Sequence, residues 1–167
     1  MRAHLVISGP SGSGKSTVGQ LVATQLGRVW LEGDAFHTVQ NRNRMAEGIA
    51  LTDEDRAPWL DRLAQELRRL GDLGLPAVLA CSALKRSYRD VLRGCGHPVT
   101  VVQLQVSPED LAARVAARRA HFMPTSLLAS QIALMEPLEP DEDGVSVPTG
   151  SDAQSTAAAV LTALDPG

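Results

Sequence analysis

The stretch Ser8-Gly9-Pro10-Ser11-Gly12-Ser13-Gly14-Lys15-Ser16-Thr17 limits what this chain can be more than any other. It ends the short apolar run Leu5–Ser8. Behind it Val18, Leu21, Val22 and Leu26 recur at helical spacing until Gly27, a helix stop. Strand, glycine-rich turn and helix form the context in which the spacing G-x-x-x-x-G-K-S holds phosphate. The glycines let backbone N–H groups converge on phosphate oxygens, and the helix N-terminus adds a favourable dipole. Lys15 reaches the β- and γ-phosphates, and the Ser16 hydroxyl is placed to ligate Mg²⁺. The expected ATP contacts are Gly9, Pro10, Ser11, Gly12, Ser13, Gly14, Lys15, Ser16 and Thr17.

The rest of the chain alternates strand and helix. Val29-Trp30-Leu31 reads as a second strand ending at Glu32-Gly33-Asp34, Ala77–Cys81 as a third entered through Pro76, and Val99–Val106 as a fourth. Gly144–Pro148 is a short fifth. Thr52 and Asp55 form a capping box ahead of a stripe of Leu60, Leu63, Leu67 and Leu70, with Gly71 and Gly74 ending that helix. Ser87–Arg93 is a short helix, Ser107-Pro108 starts another, and Ser151–Leu164 closes the chain. This alternation predicts an α/β fold with three α-β-α layers around a five-stranded parallel sheet, in one domain spanning 1–167. Functional groups then collect at the carboxyl ends of the strands. Three polar clusters follow strands in that way: the phosphate loop, Glu32-Gly33-Asp34, and Ser82–Lys85. The acidic, proline-punctuated stretch Glu136–Asp143 reads as a surface loop.

Composition narrows the partners. A net charge of -3 offers no global attraction to nucleic acid or an anionic membrane, so an anionic ligand needs a local cationic cluster. No apolar run approaches the roughly 20 residues of a membrane span. Aromatic residues make up only 3%, so the core must come from Leu, Val and Ala. Cys81 and Cys95 match no metal or disulfide spacing and read as structural thiols in a reducing compartment. Met1-Arg2-Ala3-His4 runs straight into a strand without an apolar leader, and the expectation is a cytoplasmic protein.

Many phosphate-loop enzymes take a second metal contact from an Asp at the end of another apolar strand. Here the third strand runs into Ser82 instead. The best-placed acids are Glu32 and Asp34. One can hold the metal through water while the other accepts a proton from an acceptor hydroxyl, and Gly33 between them permits close backbone approach. Which acid does which stays open at this point.

The combined segments GPSGSGKST, EGDAFH with Asn41 following, RMAEGIALTDEDRAPWL, ACSALKRSYRDVLR and ARRAHFMPTSLLASQIALMEP resemble the gluconokinases of the small phosphate-loop type, from about Leu5 to Pro137. The resemblance implies a nucleoside-monophosphate-kinase-like fold with a helical lid at about 117–137. It also implies ATP and Mg²⁺ as cofactors, D-gluconate as acceptor and a homodimer as the assembly. A sugar acid needs a cation for its carboxylate and polar groups for its hydroxyls. Arg56, Lys85 and Arg89 are the expected cations, with His37 and Asn41 following Asp34; Arg86, Trp59 and Tyr88 read as surface or core. The assignment taken forward has Asp34 as the base and Glu32 as a metal contact through water, with the choice between the two acids open; by resemblance Arg118 is the lid arginine that meets the transferring phosphoryl group. His121 and Gln131 match family positions without a role that follows from their chemistry. Arg114 shares a helix face with Arg118. The loop around Thr149 and Gly150 is expected near adenine. The chain departs from the family pattern at Glu32 for Asp, Thr38 for Pro, Arg44 for Lys and Ile132 for an aromatic. Shikimate- and adenylylsulfate-type kinases of the same fold are the nearest alternatives, and a nucleotide-dependent switch without catalysis is a third.

Overall fold

The apolar runs of the central strands are buried on both faces, while the two edge strands are only partly covered. The computed structural model describes residues 3–117 and 125–165. Strand β1 (His4–Ser8) leads through the phosphate loop into α1 (Lys15–Leu26). Strand β2 (Val29–Glu32) passes through a 3₁₀ turn (Gly33–Phe36) into α2 (Val39–Ala46) and α3 (Asp53–Asp72). Then come β3 (Ala77–Ala80), α4 (Arg86–Arg93), β4 (Val99–Gln105), α5 (Pro108–Ala117), α6 (Thr125–Leu134), β5 (Gly144–Pro148) and α7 (Ala153–Leu164). All five strands are parallel in the order β2-β3-β1-β4-β5, with Leu5 level with both Val78 and Thr100. The expected sheet is therefore present. No helix among the described residues is long and apolar enough to cross a membrane.

Side-chain alternation along the strands divides the core in two. Val6, Ala77, Leu79, Val99 and Val101 face Trp59, Leu60, Leu63 and Leu67 of α3 and Leu92 of α4. Leu5, Ile7, Val78, Val102 and Leu104 face Val18 and Val22 of α1 and Val160 of α7. The capping box at Thr52 forms as its residues predict, with Asp55 N–H donating to Thr52 Oγ1 at 3.1 Å and Thr52 N–H to Asp55 Oδ2 at 2.8 Å. Thr38, where the family pattern has proline, is the N-cap of α2 and accepts from Asn41 N–H at 3.0 Å. Cys81 lies one residue beyond β3, and burial pushes its thiol up to about 12. It is an inert structural thiol, as expected.

The Glu136–Asp143 stretch is far more than a solvated loop. Arg89 of α4 is 0% exposed. Its Nε and Nη2 donate to the two carboxylate oxygens of Glu142 at 2.7 and 2.6 Å. Its remaining N–H groups meet the carbonyls of Leu84, Glu136 and Pro137, each at 3.2 Å. All five guanidinium donors are thus used inside the protein. The expectation that Arg89 binds the acceptor is corrected: its charge and its donors hold the chain that leaves α6. Arg93 adds a 2.7 Å bond to Glu142, and Arg86, expected to be a free surface cation, pairs with Asp141 at 2.7 Å and with Glu139.

Glu142 is 1% exposed in its side chain, and the hydrogen bonds from Arg89 hold its carboxyl down at about 2. Its pKa is lower folded than unfolded, so between the two values the unfolded chain binds the extra proton and stability falls with falling pH. We expect thermal melts to show a loss of stability from about pH 4.5 toward 2 that Glu142→Gln flattens. At neutral pH the same substitution leaves Arg89 buried without its counter-charge and lowers stability by about 3–5 kcal/mol in chemical denaturation.

Candidate active site

The phosphate loop is anchored from behind. Ser8 Oγ and Gly9 N–H both donate to the carbonyl of Ser82, at 3.0 and 3.3 Å, so the exit of β3 braces the loop that leaves β1. Gly14 caps α1 at φ 88°, a conformation that favours glycine. Ser13 N–H closes the turn onto Pro10 O at 3.1 Å. The loop therefore comprises Gly9, Pro10, Ser11, Gly12, Ser13 and Gly14, with Lys15, Ser16 and Thr17 in the first turn of α1. A phosphate placed there meets backbone amides and a helix N-terminus together.

Two cavities flank this loop. One is lined by Ser11 and Lys15 together with Asp34, His37, Arg56 and Gln131, and is floored by Trp59, Leu51 and Leu127. The other is lined by Ser13, Gly14, Thr17, Arg114, Asp152 and Thr156. Arg114 bridges the loop to the segment after β5, donating to Ser13 O at 3.3 Å and to Thr149 Oγ1 and Gly150 O at 3.5 Å. The segment expected near adenine thus borders the second cavity.

Gly33 sits so close to β3 that a Cβ there would lie 2.3 Å from the Ala80 carbonyl oxygen, which accounts for a glycine between the two acids. Asp34, in the 3₁₀ turn, lines the first cavity with a side chain 66% exposed, its carboxylate 4.0 Å from His37 Nε2. His37 is 7% exposed, and its ring stacks on Trp59 with centroids 4.1 Å apart and planes 14° apart. Trp59 is itself fixed by donating Nε1–H to Gly33 O at 2.8 Å. Burial, with Arg56 and Arg42 adding to it and Asp34 opposing, lowers His37 to about 4, so the imidazole is neutral at physiological pH. Its Nδ1 is buried without a hydrogen-bond partner.

The expected cations separate. Arg56 lines the cavity, and its Nη1 donates to Leu51 O at 2.6 Å and to Tyr88 Oη at 3.4 Å. Lys85 instead holds both oxygens of Asp53, at 3.0 and 2.7 Å, and Tyr88 Oη–H donates to the same carboxylate. Those bonds raise Lys85 and lower Asp53, so the Lys85 charge is balanced locally. Asn41, expected at the acceptor, gives Nδ2–H to Asp55 O at 2.8 Å and ties α2 to α3. Arg118 and His121 lie outside the described residues. Glu32 ends β2 and keeps a buried Oε1 without a hydrogen-bond partner. An unsatisfied carboxylate oxygen at a strand end suits an acceptor for metal-bound water, so Ser16 and, through water, Glu32 are the residues that would hold Mg²⁺.

Sequence reasoning missed the parts that three residues play, and left Gln131 without one. Trp59 was read as core, although a buried indole N–H demands a partner and so signals a polar neighbour. Asp53 and Tyr88 lie within the segments that carry the resemblance, but nothing in those segments announced their contacts with Lys85, which form only where α3 packs against α4. Gln131 gained a partner that no spacing announces: its Oε1 accepts from Ser11 N–H at 2.8 Å.

Comparison with known proteins agrees with this arrangement. The family described as an AAA domain matches residues 5–138. Over 143 residues, 86% of this chain and 80% of the relative, the sequence is 48% identical to a gluconokinase of Gluconobacter oxydans. A crystal structure of a sugar kinase from Janibacter superposes with a TM-score of 0.92 at 44% identity, covering 99% of this chain and 95% of the other. A gluconokinase structure from Sinorhizobium meliloti gives 0.89 at 39% identity over 98% and 92%. With a phosphate loop and a cavity that Asp34 shares with Ser11 and Lys15, this chain belongs to the gluconokinase family of phosphate-loop kinases.

Proposed function

We propose that this chain transfers the γ-phosphoryl group of ATP to the C6 hydroxyl of D-gluconate, giving 6-phospho-D-gluconate and ADP. The observation that carries the reading is the single cavity in which Ser11 and Lys15 of the phosphate loop stand with Asp34, His37 and Arg56. Donor phosphates and a polyol carboxylate can meet there in one volume. Phosphoryl transfer needs alignment and charge neutralisation more than a strong base. Lys15 neutralises the β- and γ-phosphate charge. Ser16 and, through water, Glu32 would hold Mg²⁺, which would supply Lewis-acid charge stabilisation when bound. Asp34 accepts the hydrogen bond of the C6 hydroxyl, orients it in line and takes its proton. Arg56 pairs with the gluconate carboxylate, its guanidinium already oriented by Leu51 O and Tyr88. Neutral His37 serves the hydroxyls, one ring nitrogen accepting and the other donating. Arg118 and His121 complete the lid side of the site in this reading.

Lys15→Ala removes nearly all gluconate-dependent ADP release. Asp34→Asn lowers kcat by roughly 10²–10⁴-fold while raising the gluconate KM far less. ADP release across gluconate, shikimate, adenylylsulfate and nucleoside monophosphates tests the acceptor, and strict dependence on another of these overturns the gluconate reading. Because His37 is held at about 4 and is neutral above that value, the gluconate KM stays level from pH 8 down to 5.5. A rise centred near 6.5 would show instead that an ordinary, titrating histidine binds the acceptor.

A further inference from the structure

Helix α6 lies over the acceptor cavity by two different kinds of contact. Leu127 and Leu128 are buried, and Leu127, Ser130 and Gln131 line the cavity that holds Asp34 and Arg56. Where the chain leaves α6, Glu136 is pinned: its N–H donates to Leu84 O at 2.8 Å, and its carbonyl accepts from Gln103 Nε2 at 2.9 Å as well as from Arg89. The helix thus has an anchored exit. Its link to the donor site is Gln131, whose Oε1 accepts from Ser11 N–H across 120 positions of sequence.

Ser11 occupies a particular place in the loop. It lines the acceptor cavity, whereas Ser13, Gly14 and Thr17 line the cavity on the opposite side. Its N–H is therefore a loop amide on the side toward which the phosphoryl group travels. A phosphoryl oxygen is an ionised acceptor, and hydrogen bonds to such acceptors are roughly twice as strong as those between neutral groups. A neutral carboxamide can satisfy Ser11 N–H while the loop is empty and give way when an anionic oxygen arrives. Glutamate would accept the same bond but set a negative charge against the incoming phosphates. Methionine would fill the space and leave the amide unsatisfied.

We infer that Gln131 is a positioning residue that couples the two substrates. It holds α6 over the acceptor cavity through Ser11 N–H, and it yields that donor to the terminal phosphate of ATP, so donor occupancy resets the wall that gluconate meets. The inference rests on the gluconate kinase reading above.

The test uses the full-length chain, with steady-state ADP release measured against ATP and gluconate separately for wild type, Gln131→Met and Gln131→Glu, and thermal melts as a folding control. With ATP held below its KM, where the loop is mostly empty, Gln131→Met is expected to raise the gluconate KM by about tenfold, the worth of one hydrogen bond. At saturating ATP, where wild type has already given up that bond, Gln131→Met leaves the gluconate KM near wild type; the ATP KM holds or falls because the competitor for Ser11 N–H is gone. It also raises acceptor-independent ADP release as a share of total turnover. Gln131→Glu keeps the loop contact, so the gluconate KM stays near wild type while the ATP KM rises about tenfold by charge repulsion. This crossed pattern supports the coupling. Wild-type constants in both variants overturn it, as does a parallel rise of both KM values with a lowered melting temperature. Wild-type ADP release that ignores gluconate but needs another acceptor overturns the function instead, and the same crossed pattern is then read with that acceptor.

Discussion

Strand β1 bonds to β3 on one side and to β4 on the other, and that central position governs the chemistry of the whole molecule. Because all the pairings are parallel, every strand delivers its exit to the same edge of the sheet. The phosphate loop leaves the middle of that edge. The acids leave from β2, two strands away, and Ser82 leaves from β3 between them. Shifting β1 by one residue against β3 would exchange the two core faces and move the Ser82 carbonyl off the loop it braces. The site is therefore a property of register before it is a property of any side chain.

Charge is distributed with similar economy on a chain of net charge -3. Two of the three cations expected at the acceptor, Lys85 and Arg89, serve the protein instead. Arg89 and Arg93 are consumed by Glu142, Arg86 by Asp141 and Glu139, and Lys85 by Asp53. Lys15 and Arg56 are left as the cations that line the acceptor cavity among the described residues. On the proposed reading, with Lys15 for phosphate and Arg56 for a carboxylate, such a site discriminates by placement rather than by bulk field. Discrimination by placement requires a stiff frame, and the saturated Arg89 clamp stiffens both the Leu84 wall and the exit of α6.

The parts legible in the sequence are those encoded over short distances. The phosphate loop, the capping box at Thr52, the buried strands and the acids after β2 each depend on neighbours within a few residues, so their spacing reveals them. The short helix α2, Val39–Ala46, was not anticipated because its residues are mostly polar and carry no apolar stripe. Arg89 was placed wrongly for a different reason: its partners, Leu84 O, Glu136 O, Pro137 O and Glu142, include main-chain oxygens with no sequence identity and a carboxylate 53 positions away. Arg56 kept its expected place at the cavity, since a helix N-terminus capped at Thr52 fixes where its first turn points. Asn41 was diverted to Asp55 O by the packing of α2 on α3, a tertiary contact that local pattern does not carry.

The stack of His37 on Trp59 has an optical meaning. The chain contains two tryptophans, and they report on opposite faces of the sheet. Trp30 lies beneath α1, so near Gly19 that a Cβ there would come within 2.6 Å of its ring. Trp59 lies in the wall of the acceptor cavity with one indole face against the imidazole. A change in emission from Trp59 against a constant Trp30 background therefore records what happens at His37, which on the proposed reading gives the protein a built-in chromophore for acceptor binding that needs no label.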